Sequence, residues 1–324
     1  MRKLAPRAYS HPRLQLPDSA PSGARPRILP LVLASAILGM SVSGPLARLS
    51  DAHPLAIAAW RLTIALVLVA GFLTATRGWA EYRRLSRRDL LIALMAGAML
   101  AVHFWSWIAS LSYTSIAASV VLVNLHPVVI VAGSALFLDE RPTPRQLAGI
   151  AVAMLGALLV AWGDSRGTDG LFDLSGRAVV GDLLAVLGAV TVGVYYLVGR
   201  SLRQRLTLWP YVGLVYAAAL LTLLVFVVVT GAPLWPQPPR EWPIFLGIAI
   251  GPMMLGHTGF NWALRYVPAY VVSLAILAEP VGATLLAALL PGIRELPGAW
   301  TLAGGAVVLG GLALGTIAPR RASG

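Results

Sequence analysis

From Leu90 to Leu138, 49 residues pass without one Asp, Glu, Lys or Arg. A helix needs about 20 mostly apolar residues to cross a hydrocarbon core of about 30 Å, so this run fits two crossings. A tight turn at Leu111 to Ser115 is its natural division. The rest of the chain has the same character: of 324 residues 58% are hydrophobic and 12% charged, and the mean hydropathy is +0.78. That is too apolar for an ordinary water-soluble domain, and the solvent has to be lipid. Cysteine is absent, which removes disulfides, thiolate metal sites and cysteine nucleophiles.

Cutting at charges and turn residues leaves ten apolar segments, at approximately 28 to 49, 54 to 76, 89 to 111, 114 to 137, 145 to 163, 180 to 199, 208 to 230, 242 to 264, 268 to 291 and 298 to 318. The expected fold is all-α and integral to the membrane, with ten transmembrane helices. Residues 1–27 form a basic, proline-rich tail with Arg2, Lys3, Arg7, Arg13, Arg25 and Arg27, which is read as disordered and cytoplasmic. A cleaved signal peptide is the rival reading, but the apolar run from Ile28 to Ala47 is too long for a signal h-region.

With the amino terminus inside, 19 of the 25 Lys and Arg residues fall on the cytoplasmic side: the tail, Arg77 to Arg88, Arg141, Arg145, Arg200 to Arg205, Arg265, Arg320 and Arg321. Five fall outside, namely Arg48, Arg166, Arg177, Arg240 and Arg294, and Arg61 lies within a span. Cytoplasmic loops retain positive charge, so both termini are expected to be cytoplasmic. The net charge of +12 therefore reads as topology. A nucleic-acid partner would need these side chains gathered on one folded face, and none is expected.

Setting Tyr113 against Tyr266 exposes an internal repeat. His103, Tyr113, Pro127, Val128 and Glu140 then fall opposite His257, Tyr266, Pro280, Val281 and Glu295, at an offset of 153 to 155. Leu147-Ala148-Gly149 against Leu302-Ala303-Gly304 continues the match. Each unit holds five spans, an odd number, so the copies at 28–163 and 180–318 cross the membrane in opposite senses as an inverted 5+5 repeat. Such repeats are a recurring design of secondary transporters, because two similar halves can open a midplane site alternately to either side.

Several local patterns join this architecture. Arg61 follows the proline-led start of the second span, and Leu138-Asp139-Glu140-Arg141 closes the fourth. Gly181-Asp182-Leu183-Leu184-Ala185 opens the sixth, with Tyr195, Gly199 and Arg200 after it. Ala278-Glu279-Pro280-Val281-Gly282-Ala283 lies in the ninth. From about Ile28 to about Ile317 the sequence resembles a bacterial EamA-type member of the drug/metabolite transporter superfamily. That resemblance implies two five-helix repeats, location in the bacterial inner membrane, and export of small metabolites, amino acids or drugs. The sequence departs from repeat symmetry at two places: His126 stands where Glu279 stands in the second copy, and Arg61 meets Ala217.

Of the 38 formally charged side chains, Arg61 and Glu279 lie deep in a span, where an uncompensated charge costs upwards of about 2.5 kcal/mol and marks function by default. At 1.5 Å per residue, Glu279 is about 18 Å and Arg61 about 10 Å below the outer surface. Glu279 is a candidate proton or substrate-amine site and Arg61 a candidate anion site. An Arg61 to Glu279 ion pair that joins two helices, and snorkelling of Arg61 to the outer headgroups, are the structural alternatives. Pro127 and Pro280 follow His126 and Glu279, so each repeat carries a helix break beside a polar group, which suits either a discontinuous-helix site or an ordinary kink. His103 and His257 occupy equivalent places in the third and eighth spans; both are candidate pathway residues, as are Asn124 and Asn261. Trp105, Trp107, Trp262, Tyr195 and Tyr196 can supply an aromatic lining or simply pack. Glu140 and Glu295 are read as structural signatures at span ends, and the spacings Gly149 to Ala153 and Gly311 to Gly315 as close helix packing.

The expected mechanism is alternating access around a midplane cavity lined by spans one to four and six to nine, with the fifth and tenth peripheral. The expected partners are a small-molecule substrate, the lipid bilayer and, as candidate coupling ion, protons. No cofactor or metal is expected. A membrane-embedded enzyme is the alternative class, but H-E-x-x-H, aspartate-rich diphosphate and Gly-rich phosphate motifs are all missing. The sequence carries no signal for oligomeric state.

Overall fold

The structure is a computed structural model and describes residues 26–114, 119, 122–165, 176–289 and 298–316. Most of the basic tail, Arg166, Arg294, Glu295, Arg320 and Arg321 lie outside the described residues. Among those described, all regular structure is helical. Helices α1 (Leu29–Ser41) and α2 (Ser43–Leu49) share the first apolar segment. Helix α3 (Pro54–Ala75) starts at a proline, whose missing N–H is harmless in a first turn, and the His53 ring accepts from Leu55 N at 3.2 Å. After a 3₁₀ turn at Gly78–Arg84, Ser86 caps α4 (Arg87–Ser110) by accepting from Asp89 N at 3.0 Å.

Helices α5 (His126–Phe137), α6 (Pro144–Ser165), α7 (Gly176–Arg203) and α8 (Leu208–Thr230) follow, the last ended by Gly231 at φ +68°, a left-handed stop that glycine adopts without strain. Next come α9 (Glu241–Ile248), a π-helix (Ala249–His257) and α10 (Thr258–Ala263) as one bent rod. Helices α11 (Ala269–Ile276), α12 (Glu279–Leu289) and α13 (Ala299–Thr316) complete the described chain.

Among the described residues six stretches are long and apolar enough to cross a membrane: Leu29–Ala47, Pro54–Ala75, Arg87–Ser110, Gly176–Arg203, Leu208–Thr230 and Glu241–Ala263. Shorter apolar helices stand among them at His126–Phe137, Pro144–Val160, Ala269–Ala283 and Ala299–Gly315. Turns at Asn124–Leu125 and Leu277–Ala278 precede α5 and α12. Pro127 and Pro280 therefore sit in first turns, where a proline starts a helix rather than kinking one.

The packing partners come in matched sets. Helix α4 packs on α7 and α8, and the π-helix packs on α1 and α3; α5 packs on α7, and α12 on α1. Three further pairs are α3 with α8, α5 with α11 and α6 with α13. Exchanging the first five apolar segments for the last five maps this set onto itself. The α6–α13 contact is the most extensive among the described helices. A Cβ on Gly149 would stand 2.6 Å from Gly315 N, and one on Gly311 2.5 Å from Ala153 N, so the two backbones touch through small residues.

Candidate functional site

The broken and distorted helices converge on one cavity of about 90 Å³. Met40 of α1 and Ser43 and Gly44 of α2 line it beside Arg61 of α3, and α4 adds His103, Phe104 and Trp107. Val123, Asn124 and His126 enter at the first break, and Ile276, Glu279, Pro280 and Ala283 at the second; Val192 and Tyr196 of α7 and His257 of the π-helix complete the wall. Arg61, Glu279, His103, His126, His257, Asn124, Trp107 and Pro280, spread over more than 200 residues of sequence, thus share one space. Asn261, Tyr195 and Pro127 are not in that lining.

Arg61 is almost wholly buried, at 1% exposure. Its guanidinium carbon lies 3.9 Å over the Phe104 ring, and Nη2 donates to Met253 Sδ at 3.2 Å, a weak acceptor. Among the described residues Arg61 Nε has no hydrogen-bond partner, and no ion pair within 4.0 Å joins Arg61 to Glu279. The two charges face one cavity without touching. Ser41 ties the break at Glu279 to α1 by donating to the Glu279 carbonyl at 3.3 Å.

The histidines are held by their surroundings. His103 Nδ1 lies 2.9 Å from the Gly188 carbonyl, which only accepts, so Nδ1 carries the proton and Nε2 is left as an acceptor. His126 Nδ1 meets the Val123 carbonyl at 3.2 Å. His257 Nδ1 meets the Tyr196 hydroxyl at 3.3 Å, and its ring centroid is 6.3 Å from that of His103. What carries His257 into the cavity is the π-helix. Pro252 lacks an N–H and its ring crowds the preceding turn, and a widened turn relieves that crowding. The Met253 carbonyl, which the Thr258 backbone N–H also bonds, accepts from Tyr216 at 3.2 Å and from Thr258 Oγ1 at 2.9 Å. Pro252 is a sequence signal that the regular-span reading passed over.

Several expected lining groups are structural neighbours instead. Asn261 donates to the Tyr195 hydroxyl and, at 2.7 Å, to the His257 carbonyl. Trp105 packs on Phe226 and Trp262 on Tyr266. Helix α8, expected in the lining, stands behind it and contributes Tyr216 to the π-helix. Of the five aromatics, Trp107 and Tyr196 reach the cavity. Phe104, Met40 and Ser43 were not singled out, because nothing local distinguishes them from packing residues.

Beyond Tyr196 on α7, Arg200 and Arg203 lie about 6 and 10 Å further along the axis. Arg200 pairs with Glu140 at 2.7 Å and donates to the Leu264 carbonyl at 2.5 Å, while Arg203 Nε donates to the Asn261 carbonyl at 2.9 Å. These bonds tie α7 to the end of α10 and to Glu140 beyond α5. Glu241 is a further buried charge, one that local sequence does not mark: it accepts from Ser50 Oγ at 2.5 Å and from Asp51 N at 3.2 Å.

Residues 27–162 and 179–317 each match the profile of the EamA-like transporter family. The chain is similar to the "Pseudopaline exporter CntI" of Pseudomonas aeruginosa, 27% identical over 231 residues, 69% of this chain and 74% of that one. It is similar to a "Probable terminal-alkyne amino-acid exporter" of Streptantibioticus cattleyicolor, 27% identical over 266 residues, 78% of this chain and 81% of that one. It is also similar to the "Uncharacterized transporter YyaM" of Bacillus subtilis, 25% identical over 234 residues, 70% and 74% of the two chains. A protein crystal structure shares the fold, with a TM-score of 0.73 at 22% identity, over 91% of this chain and 99% of that one.

Proposed function

The chain belongs to the EamA-like transporter family and is a multi-pass membrane transporter rather than an enzyme, and from that premise we propose that it exports a small metabolite across the bacterial inner membrane by alternating access. The proposed architecture is ten spans in an inverted 5+5 repeat of 28–163 and 180–318, behind a cytoplasmic basic tail, with both termini inside. The exchangeable packing pattern and the 19-to-5 distribution of Lys and Arg support it. The direction of transport is supported by two relatives whose names say exporter.

One observation carries the site: Arg61 and Glu279, the two charges deep in apolar segments, line the same cavity with His103, His126 and His257. Buried charge in lipid persists where it does work, because it costs stability otherwise. In the proposed cycle, substrate enters the cavity between the two halves, and the Glu140–Arg200 clamp is its cytoplasmic closure. A proton and the substrate compete for Glu279, which couples export to the inward proton gradient. Helices α6 and α13 hold the periphery.

The test compares growth medium from cells that overproduce the native protein, Glu279→Gln, or nothing, by mass spectrometry. A compound enriched by the native protein alone supports the reading and places Glu279 in the cycle. Equal enrichment by both proteins returns Glu279 to a structural role, and enrichment by neither argues against export.

A further inference from the structure

The stretch from Arg77 to Arg88 holds Arg77, Arg83, Arg84, Arg87 and Arg88, all exposed. The carboxylates beside them in sequence are already engaged. Glu81 accepts from Thr207 N at 3.1 Å and from Thr207 Oγ1, while Asp89 accepts from Ser86 Oγ at 2.7 Å and pairs with Arg205 at 2.8 Å. Among the described residues no ion pair within 4.0 Å reaches any of these arginines. Retention of positive charge in cytoplasmic loops accounts for their presence in this loop. It does not account for how the loop is folded. Tyr82 donates to the Pro210 carbonyl at 3.1 Å, which draws the 3₁₀ turn onto the start of α8. Exposed Trp79 stands edge-on to Tyr82 and donates to Thr74 Oγ1 at 3.1 Å, and Phe72 stacks on Trp209 with centroids 4.1 Å apart. Tryptophan and tyrosine settle at the headgroup level of a bilayer, so this belt sets the arginines at the depth of lipid phosphates.

Between the 3₁₀ turn, the start of α4 and α8 lies a groove of about 230 Å³, lined by Tyr82, Leu85, Ser86, Arg87, Leu90 and Leu214. It shares no lining residue with the central cavity. The lining is cationic at Arg87 and apolar at Leu85, Leu90 and Leu214. Exposed Leu94 lies one turn beyond Leu90 and exposed Leu221 two turns beyond Leu214, so the apolar walls run on toward the bilayer interior. We propose that this groove binds an anionic phospholipid of the inner leaflet, its phosphate on Arg87 and an acyl chain along Leu90 and Leu214. The leaflet follows from the orientation proposed above. An unpaired guanidinium meets a phosphate through charge-assisted, two-pronged hydrogen bonds. Arg83 and Arg84 ahead of it and Arg88 after it add attraction that a zwitterionic lipid, which carries its own ammonium, largely forfeits. A soluble anion could use the arginines but would gain nothing from the three leucines.

The full chain, purified in mild detergent and stripped of lipid, gives the test. It is titrated with phosphatidylglycerol or with phosphatidylethanolamine of the same acyl chains, and bound lipid is counted by native mass spectrometry. Phosphatidylglycerol is expected to bind at least about tenfold more tightly, and Arg84→Gln with Arg87→Gln to abolish that margin, since each arginine near a lipid phosphate strengthens binding several-fold. Both positions are exposed, so the substitutions leave the bundle intact. Arg141→Gln with Arg265→Gln removes the same charge from exposed positions outside the groove and is expected to keep the margin. Equal binding of the two lipids by the native chain overturns the proposal. So does equal loss in the two double variants, which would mean diffuse attraction without a site, or an unchanged margin in Arg84→Gln with Arg87→Gln. Displacement of the lipid by millimolar inorganic phosphate also overturns it, because the groove would then hold soluble anions.

Discussion

Asn261 directs its amide to the Tyr195 hydroxyl and the His257 carbonyl, so its polarity is used between α7 and α10 rather than in the cavity. His103 lies on the other side of that division: Nδ1 is held by Gly188, and the ring lines the cavity. The two residue types look alike in sequence, as isolated polar groups in apolar helices, and only their neighbours separate them. Asn261→Ala is expected to lower stability by about 1 kcal/mol while the apparent KM for the exported compound stays within about twofold. His103→Ala is expected to raise that KM. Thermal melting in detergent and transport kinetics on both variants check the pair, and a KM shift in Asn261→Ala with unchanged melting would reverse the assignment.

At the scale of elements, the α6–α13 pair is held by shape. Its interface is a ladder of small residues on each side, and a Cβ on Gly156 would stand 2.5 Å from Val308 N and 2.8 Å from the Gly304 carbonyl. Backbone cannot yield as a flexible side chain does, so Gly156→Leu is expected to force the helices apart and abolish recovery of monodisperse protein in detergent. Gly310→Ala, on α13 where a Cβ meets nothing within 4 Å, is expected to leave recovery unchanged. Size-exclusion profiles of the two variants decide it; the spacing of small residues was legible in the sequence. The π-helix was not, because its driving residue, Pro252, is one of 23 prolines and only packing of Tyr216 and Thr258 on the Met253 carbonyl shows how the turn is stabilised.

For the whole molecule, the absence of cysteine turns topology into a direct measurement. Single cysteines placed at Ser86 and at Gln237 have no background to compete with. In intact cells an impermeant maleimide is expected to label Gln237→Cys and spare Ser86→Cys, and permeabilisation should expose the latter. The opposite pattern would invert the proposed orientation. Apolar segments, the charge asymmetry and the repeat offset were readable from the sequence alone, because lipid imposes length, polarity and loop charge on each segment independently of its neighbours. The sequence likewise singled out Arg61 and Glu279, since a charge in an apolar run stands out wherever the run packs. Which polar groups share a space depends on how helices far apart in sequence meet. The tertiary structure alone therefore set His257 beside Tyr196, moved Asn261 and Tyr195 out of the cavity, put α8 behind it, and left Arg61 and Glu279 facing one cavity without an ion pair.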